Sequence, residues 1–216
     1  MSRLRETTAM RLYRRQLLSG GMSFVALVVT GTGCQLPGSG PPPREFRLTQ
    51  KSTFPEGMPQ VDWALVVERP NADGSIDTPR IARTSGVEIE YYAGANWVDR
   101  PPVMIEPLLI QSFRSSGAIA TVAARGGNVR PDFVLQTGIT AFEAVQTQSG
   151  PPDVRVVIAA TLIRMPRRQV VGTTEIGRTA TAQANDLESI ALAFDEALGG
   201  VMKRLVEWTL RTGEAA

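Results

Sequence analysis

The run Asn185-Asp186-Leu187-Glu188-Ser189-Ile190-Ala191-Leu192-Ala193-Phe194-Asp195-Glu196-Ala197-Leu198, continued to Trp208, decides how the rest of the chain is read. Leu187, Ile190, Ala191, Phe194, Leu198, Val201, Leu205 and Trp208 recur at spacings of three and four, which lays one apolar stripe along a helix of about 25 residues. Asn185 offers the cap, with the Glu188 carboxylate three residues on. Glu188, Asp195 and Glu196 read as the solvated side of this helix, because adjacent positions do not face each other and so cannot form a held acid–base pair. A stripe of this length needs a second apolar surface to cover it, and the segments upstream supply one.

Those segments alternate as strands. Val154 to Leu162 and Val170 to Thr181 are joined through Met165-Pro166-Arg167-Arg168, and Phe133 to Gln146 precedes them across the break at Pro151-Pro152. The short connections predict antiparallel neighbours. Ile119 to Ala123 is a shorter strand. Arg125-Gly126-Gly127-Asn128 reads as a plain turn, since no helix follows to supply the positive end that anion-binding loops use. Arg167-Arg168 would suit an anionic headgroup or phosphate, against the ordinary reading of a solvated hairpin turn.

In the first half, Val61 to Glu68 is a strand between prolines, Glu45 to Thr49 a short one, and Asn71 to Ser75 a loop. Val87, Ile89 and Tyr91 share one strand face after Gly86, which leaves Tyr92 on the other. Tyr91 and Trp97 read as closing the core between that strand and a helix, whereas Tyr92 is the candidate partner contact. Asp99 caps the helix, Pro101-Pro102 fill its first turn, Ile105, Leu108, Leu109 and Phe113 form its stripe, and Gly117 ends it. Pro107 suits the first turn of a helix starting nearer Glu106. The expected fold is α+β: an antiparallel β-sheet with two amphipathic helices packed on one face, spanning residues 44–212 as one domain.

Ahead of that domain the chain is of another kind. Arg3, Arg5, Arg11, Arg14 and Arg15 stand against the single acid Glu6, and Gly20 to Thr32 is apolar or small. This is the layout of an export signal, too short to cross a bilayer core, which takes about 20 residues. Arg14-Arg15 also resembles a twin-arginine motif, with a generic basic n-region as the alternative. Gly31-Thr32-Gly33-Cys34 resembles a lipobox, although Gly31 stands where leucine is usual. Residues 1–33 are thus expected to be a lipoprotein signal peptide, with Cys34 lipidated as the first mature residue. Residues 34–43, rich in proline and glycine, form an extended tether reaching about 25–30 Å.

Composition narrows the function. The full chain has 23 basic and 21 acidic residues, and loss of the leader leaves 18 against 20, so the mature protein is close to neutral. The basic precursor therefore says nothing of nucleic acid, which is not an expected partner. Histidine is absent and Cys34 is the one cysteine, which removes histidine- and cysteine-based metal sites, Ser-His and Cys-His nucleophiles, and disulfides. No catalytic residue, cofactor or metal ligand is expected, and an enzyme is the least favoured class.

Two segments together resemble the ABC-type transport auxiliary lipoproteins, including the paraquat-inducible type associated with MCE-domain lipid transporters. The first is Ile89-Glu90-Tyr91-Tyr92-Ala93-Gly94-Ala95-Asn96-Trp97-Val98-Asp99-Arg100-Pro101-Pro102, followed by Leu108-Leu109 and Phe113-Arg114-Ser115-Ser116-Gly117. The second runs from Asp132-Phe133-Val134-Leu135 through Phe142-Glu143 to Ala193-Phe194-Asp195-Glu196-Ala197 and Trp208. The resemblance implies a non-catalytic, lipid-anchored periplasmic subunit working with MCE-domain, permease and ATPase components in phospholipid or related hydrophobic traffic. Gln35, in place of an inner-membrane-retaining aspartate, implies the outer membrane, with the inner membrane as the alternative. A free-standing lipid carrier and a scaffold for a cell-envelope enzyme or secretion complex are the competing classes. Homo-oligomerisation suits a tethered adaptor, but no periodicity demonstrates it.

Overall fold

The computed structural model describes residues 42–216, which close on themselves as one compact unit. Its elements in chain order are β1 (Arg44–Phe46), β2 (Val61–Val67), β3 (Asn71–Ala72), β4 (Arg80–Ser85), β5 (Glu88–Trp97), α1 (Pro101–Ser115), β6 (Ile119–Ala124), β7 (Phe133–Val145), β8 (Asp153–Arg164), β9 (Gln169–Thr181) and α2 (Leu187–Glu214). The fold is α+β, but the nine-stranded sheet is mixed rather than antiparallel. β7 is its spine. Along one edge it pairs antiparallel with β8 from Phe133↔Arg164 to Val145↔Asp153, and β8 pairs antiparallel with β9. Along the other edge β2, β3 and β4 follow one another, all parallel to β7. β6 then adds parallel to β2, β5 antiparallel to β4, and β1 parallel to β5.

The reason for the correction is connection length. Short loops after β7 and β8 favour an antiparallel return, whereas parallel neighbours need a long connection, and β2 reaches its parallel neighbour β6 only through β3, β4, β5 and α1. β4 was missed in the sequence because Arg80-Ile81-Ala82-Arg83-Thr84-Ser85 carries little strand composition. It becomes a strand by lying between β5 and β7.

Two irregularities change which side chains face the core. In β7, Thr140 is left unpaired between Ile139↔Ile158 and Ala141↔Val157. Phe133, Leu135 and Ile139 face the main core before it, and Phe142 and Ala144 after it. In β5, the register against β4 slips between Tyr91 and Asn96, at a bend where Gly94 has φ +68°. Tyr92 packs against the core before that bend, and Ala95 and Trp97 lie within it afterwards. Such bulges invert a period-two reading. Consequently Val87 and Ile89 are exposed, and Tyr91 lies on the outer face with the Arg80 guanidinium 3.6 Å from its ring centre. Trp97 is fully buried.

Both helices cover the sheet face that forms the main core. α1 lies on β2 and β6, α2 on β7, β8 and β9, and the helices touch each other. At the centre, the rings of Trp97, Phe142 and Phe194 meet pairwise at centroid distances of 5.6, 5.0 and 4.9 Å. A smaller cluster of Val66, Val134 and Ile163, joined by Met165, lies apart from this core.

The helix ends differ in detail from expectation. α1 starts after Arg100, whose side chain makes no cap bond, and Asp99 accepts instead from the Arg100 N–H at 2.7 Å. With proline at both first positions, few N–H groups remain there to be capped. Pro107 stands inside the helix on its exposed side, where a missing backbone bond is least costly. In α2 the cap is Asp186, not Asn185: its Oδ1 accepts from the N–H groups of Glu188 at 3.0 Å and Ser189 at 2.9 Å.

Two predictions follow from these contacts. Phe194→Ala removes the middle ring of the aromatic cluster and should cost about 3–5 kcal/mol, read as a lowered urea midpoint of the chain from residue 35 onward. The hydrogen bonds from Ser189 and Glu188 hold the Asp186 carboxyl below the ordinary aspartate range. A carboxyl lowered in the folded state stabilises above its unfolded pKa and loses that contribution as pH falls through its folded one. Asp186→Ala should therefore lower the urea midpoint at neutral pH, with the deficit shrinking as pH drops below the ordinary aspartate range.

Candidate functional site

The strand pairings give the domain two ends. β7 spans roughly 40 Å from Phe133 to Val145, at about 3.3 Å per residue. At the Val145 end lie the β4–β5 turn, the β7–β8 loop and the start of α2. There Gln146 N–H donates to Thr84 O at 2.8 Å, and Asn185 borders the same small cleft as Ser85 and Gln146. The chain also enters here, since Arg44 lies 3.9 Å from Glu188 at the first turn of α2. The entering segment is then held by both helices. Asp195 accepts from the Thr49 N–H at 2.6 Å and from its hydroxyl at 2.8 Å, and the Lys51 N–H donates to Ser112 Oγ at 2.9 Å.

Asp195 thus clamps the entering strand rather than standing free in solvent. Nothing local in the sequence signals this, because the two partners are 146 residues apart. Glu188 and Glu196 are exposed as expected, and each faces an arginine, Arg44 and Arg178.

The β4–β5 hairpin projects at the same end. Ser85↔Glu88 closes the two-residue turn Gly86-Val87, in which Gly86 has φ +62°, the glycine-first pattern of a hairpin turn that matches strand twist. Val87 is fully exposed at the tip and Ile89 is half exposed beside it. At the base, Arg83 and Glu90 form an ion pair at 2.6 Å, and the Arg83 guanidinium lies 5.5 Å from the centre of the Tyr92 ring. Arg83, Thr84, Ser85, Glu90, Gln146 and Asn185 line a cleft of about 220 Å³. Tyr92 is half-buried next to it. Its hydroxyl and Arg83 Nε have no hydrogen-bond partner among the described residues. Burial raises the Tyr92 phenol above the ordinary tyrosine value, and the nearby Arg83 charge opposes the rise.

Other expected residues fall elsewhere. Cys34, Arg14 and Arg15 lie outside the described residues. Arg125 is in a turn, as expected, and pairs with Glu68 at 3.4 Å, and Glu68 also accepts from Gln136 Nε2 at 2.9 Å. Arg167 and Arg168 are exposed on the β8–β9 turn, at the Phe133 end. Among the described residues no His, Cys, Asp or Glu cluster is arranged to hold a metal, and no helix is long and apolar enough to cross a membrane.

The arrangement is an α+β domain whose entering segment is held by both helices. The family model for the ABC-type transport auxiliary lipoprotein component matches residues 46–206. The chain belongs to that family, which comprises auxiliary transport components rather than enzymes. It is similar to the crystal structure of protein XCC0632 from Xanthomonas campestris, assigned to DUF330, with 31% identity and a TM-score of 0.76. That match covers 80% of this chain and 97% of the other. A crystal structure of an uncharacterized protein shares the fold at 11% identity and a TM-score of 0.59, covering 77% of this chain and 97% of that one. A search of curated proteins gives no match. Family membership makes this an auxiliary component of ABC-type transport with a membrane-associated place in the envelope.

Tyr92→Phe should leave the urea midpoint at neutral pH unchanged or slightly raised, since the lost hydroxyl is unbonded in the fold. In an absorbance titration of the chain from residue 35, the phenol ionisation displaced above the ordinary tyrosine value should vanish in this variant. A clear loss of stability would instead show that the hydroxyl is bonded.

Proposed function

We propose that this protein is a non-catalytic, lipid-anchored periplasmic subunit of an MCE-associated ABC-type transport system, serving phospholipid or related hydrophobic traffic between membranes. The observation that carries the reading is the family match across almost all of the folded domain, from the first strand into α2. The leader adds to it. Cys34 takes the diacylglycerol, Arg14 and Arg15 direct export, and residues 34–43 form the tether, so that the outer membrane holds the anchor and the domain hangs from the end where β1 begins. Entry at that end, clamped by Asp195 and Ser112, suits a domain that must keep one orientation under its tether.

Within this reading the partners are the MCE-domain, permease and ATPase components. The β4–β5 hairpin offers them exposed Val87 and Ile89, and the candidate contact Tyr92 lies half-buried beneath, packed inward against the core. Aromatic and apolar groups framed by charge are the composition of interface centres.

The test is mild crosslinking of the full chain in cells, with Cys34→Ala alongside. Wild-type protein should carry a diacylglycerol-modified N-terminal Cys34 by mass spectrometry, fractionate with membrane and bring down MCE-domain or permease components. Cys34→Ala should lose the modification and the membrane fraction. An unmodified Cys34 would refute the anchor, and recovery without any transporter component would refute the partnership.

A further inference from the structure

We propose that the end of the domain opposite the tether binds the phosphate of anionic phospholipid headgroups, in a cleft between the β8–β9 turn and the last turn of α2. The cleft is open, about 540 Å³, and is lined by Arg164, Gln169, Val170, Val171, Arg211 and Thr212 together with Ala215 and Ala216 at the close of the chain. Two guanidinium groups thus share one opening with an apolar wall. Val170 is 54% exposed there. Arginine forks match phosphate oxygens, and adjoining valines suit the first carbons below a headgroup.

The surroundings add charge of the same sign. Arg167 and Arg168 are exposed on the turn beside the cleft, and Arg168 holds φ +54°, a left-handed conformation uncommon for any residue but glycine, asparagine or aspartate. The loop carrying exposed Arg130 is tied to this turn, because Met165 N–H donates to Asp132 O at 2.8 Å. Two of the four acids at this end are engaged and two are exposed. Asp132 accepts from the Ala64 N–H at 2.8 Å and Glu207 pairs with Arg211 at 3.2 Å, while Asp62 and Glu214 are exposed. Arg130, Arg164, Arg167 and Arg168 have no carboxylate partner among the described residues. At the tether end Glu90 and Glu188 are paired with Arg83 and Arg44, and Glu45, Glu88, Asp153 and Asp186 stand nearby. Arg130, Arg164, Arg167 and Arg168 stand at the opposite end without such partners among the described residues, and an anionic surface attracts that end.

The inference does not rest on the transporter reading, and no transporter component enters its test. The chain from residue 35 onward is mixed with vesicles of phosphatidylcholine, with or without one third phosphatidylglycerol, and binding is read by flotation. Wild type should bind the phosphatidylglycerol vesicles, bind pure phosphatidylcholine far less, and release in high salt. The pair Arg167→Gln and Arg168→Gln, both on an exposed turn, should weaken vesicle binding about 30-fold at low salt, taking roughly a fivefold factor for each arginine near a charged surface. Its urea midpoint should match wild type. Arg164→Gln should weaken binding further. Equal binding to both vesicle types, or unchanged binding by the double variant, would overturn the proposal. Inorganic phosphate should displace the protein from the phosphatidylglycerol vesicles more than chloride does at the same ionic strength, and equal displacement by the two salts would overturn the phosphate contact. Absence of vesicle binding by wild type would overturn the proposal as a whole.

Discussion

The two-edged pairing of β7 is the constraint on which the remaining architecture depends. A strand of 13 residues satisfies one edge with a single antiparallel partner, β8, and the other with three short strands laid end to end. Buried backbone groups must be paired, so each of those short strands is fixed in place by β7 rather than by its own composition. β3, two residues long, has no other reason to be extended. The bulge at Thr140 falls between the stretches of β7 that pair with β3 and with β4, so the strand changes its core-facing parity as it passes from one set of neighbours to the next. Phe142 is thereby turned into the aromatic cluster with Trp97 and Phe194, which joins the second half of the sheet to α2.

From that spine the domain acquires two unlike ends. Where β7 finishes, the entering strand, the β4–β5 turn and the start of α2 meet, and the entry is held by bonds to Asp195 and Ser112. Where β7 begins, the β8–β9 turn and the close of α2 leave arginines around an open cleft. Fixing the entry point also fixes which surface faces away from it. Which charged residues stand near each end follows from strand direction.

Much of this was legible in the chain. The α2 stripe, the β7–β8–β9 hairpins and the turn at Met165-Pro166-Arg167-Arg168 follow from periodicities and short loops, which are local signals. Trp97 was placed in the core because it lies between a strand and a helix start. What failed did so for non-local reasons. Period-two reading put Val87, Ile89 and Tyr91 together against the core, and the bend at Gly94 made Tyr92 the inward residue instead. Asp195 looked solvated on its helix, and only the return of residues 47–51 across α2 gave it two donors. The β4 segment, rich in polar residues, has no sequence signature of a strand between two others.

The sequence by itself determined the kinds of element, the order in which they come, the family to which they point and the chemistry expected of the leader. Each of these is carried by neighbours within a few turns or strands. The tertiary structure alone decided that the first half of the sheet runs parallel to β7, which face of β5 is buried, and which charges stand at which end. Those outcomes depend on pairings between residues as far apart as Leu65 and Phe133 or Thr49 and Asp195. No local pattern encodes them, because the backbone groups that enforce them become partners only when the whole sheet is assembled.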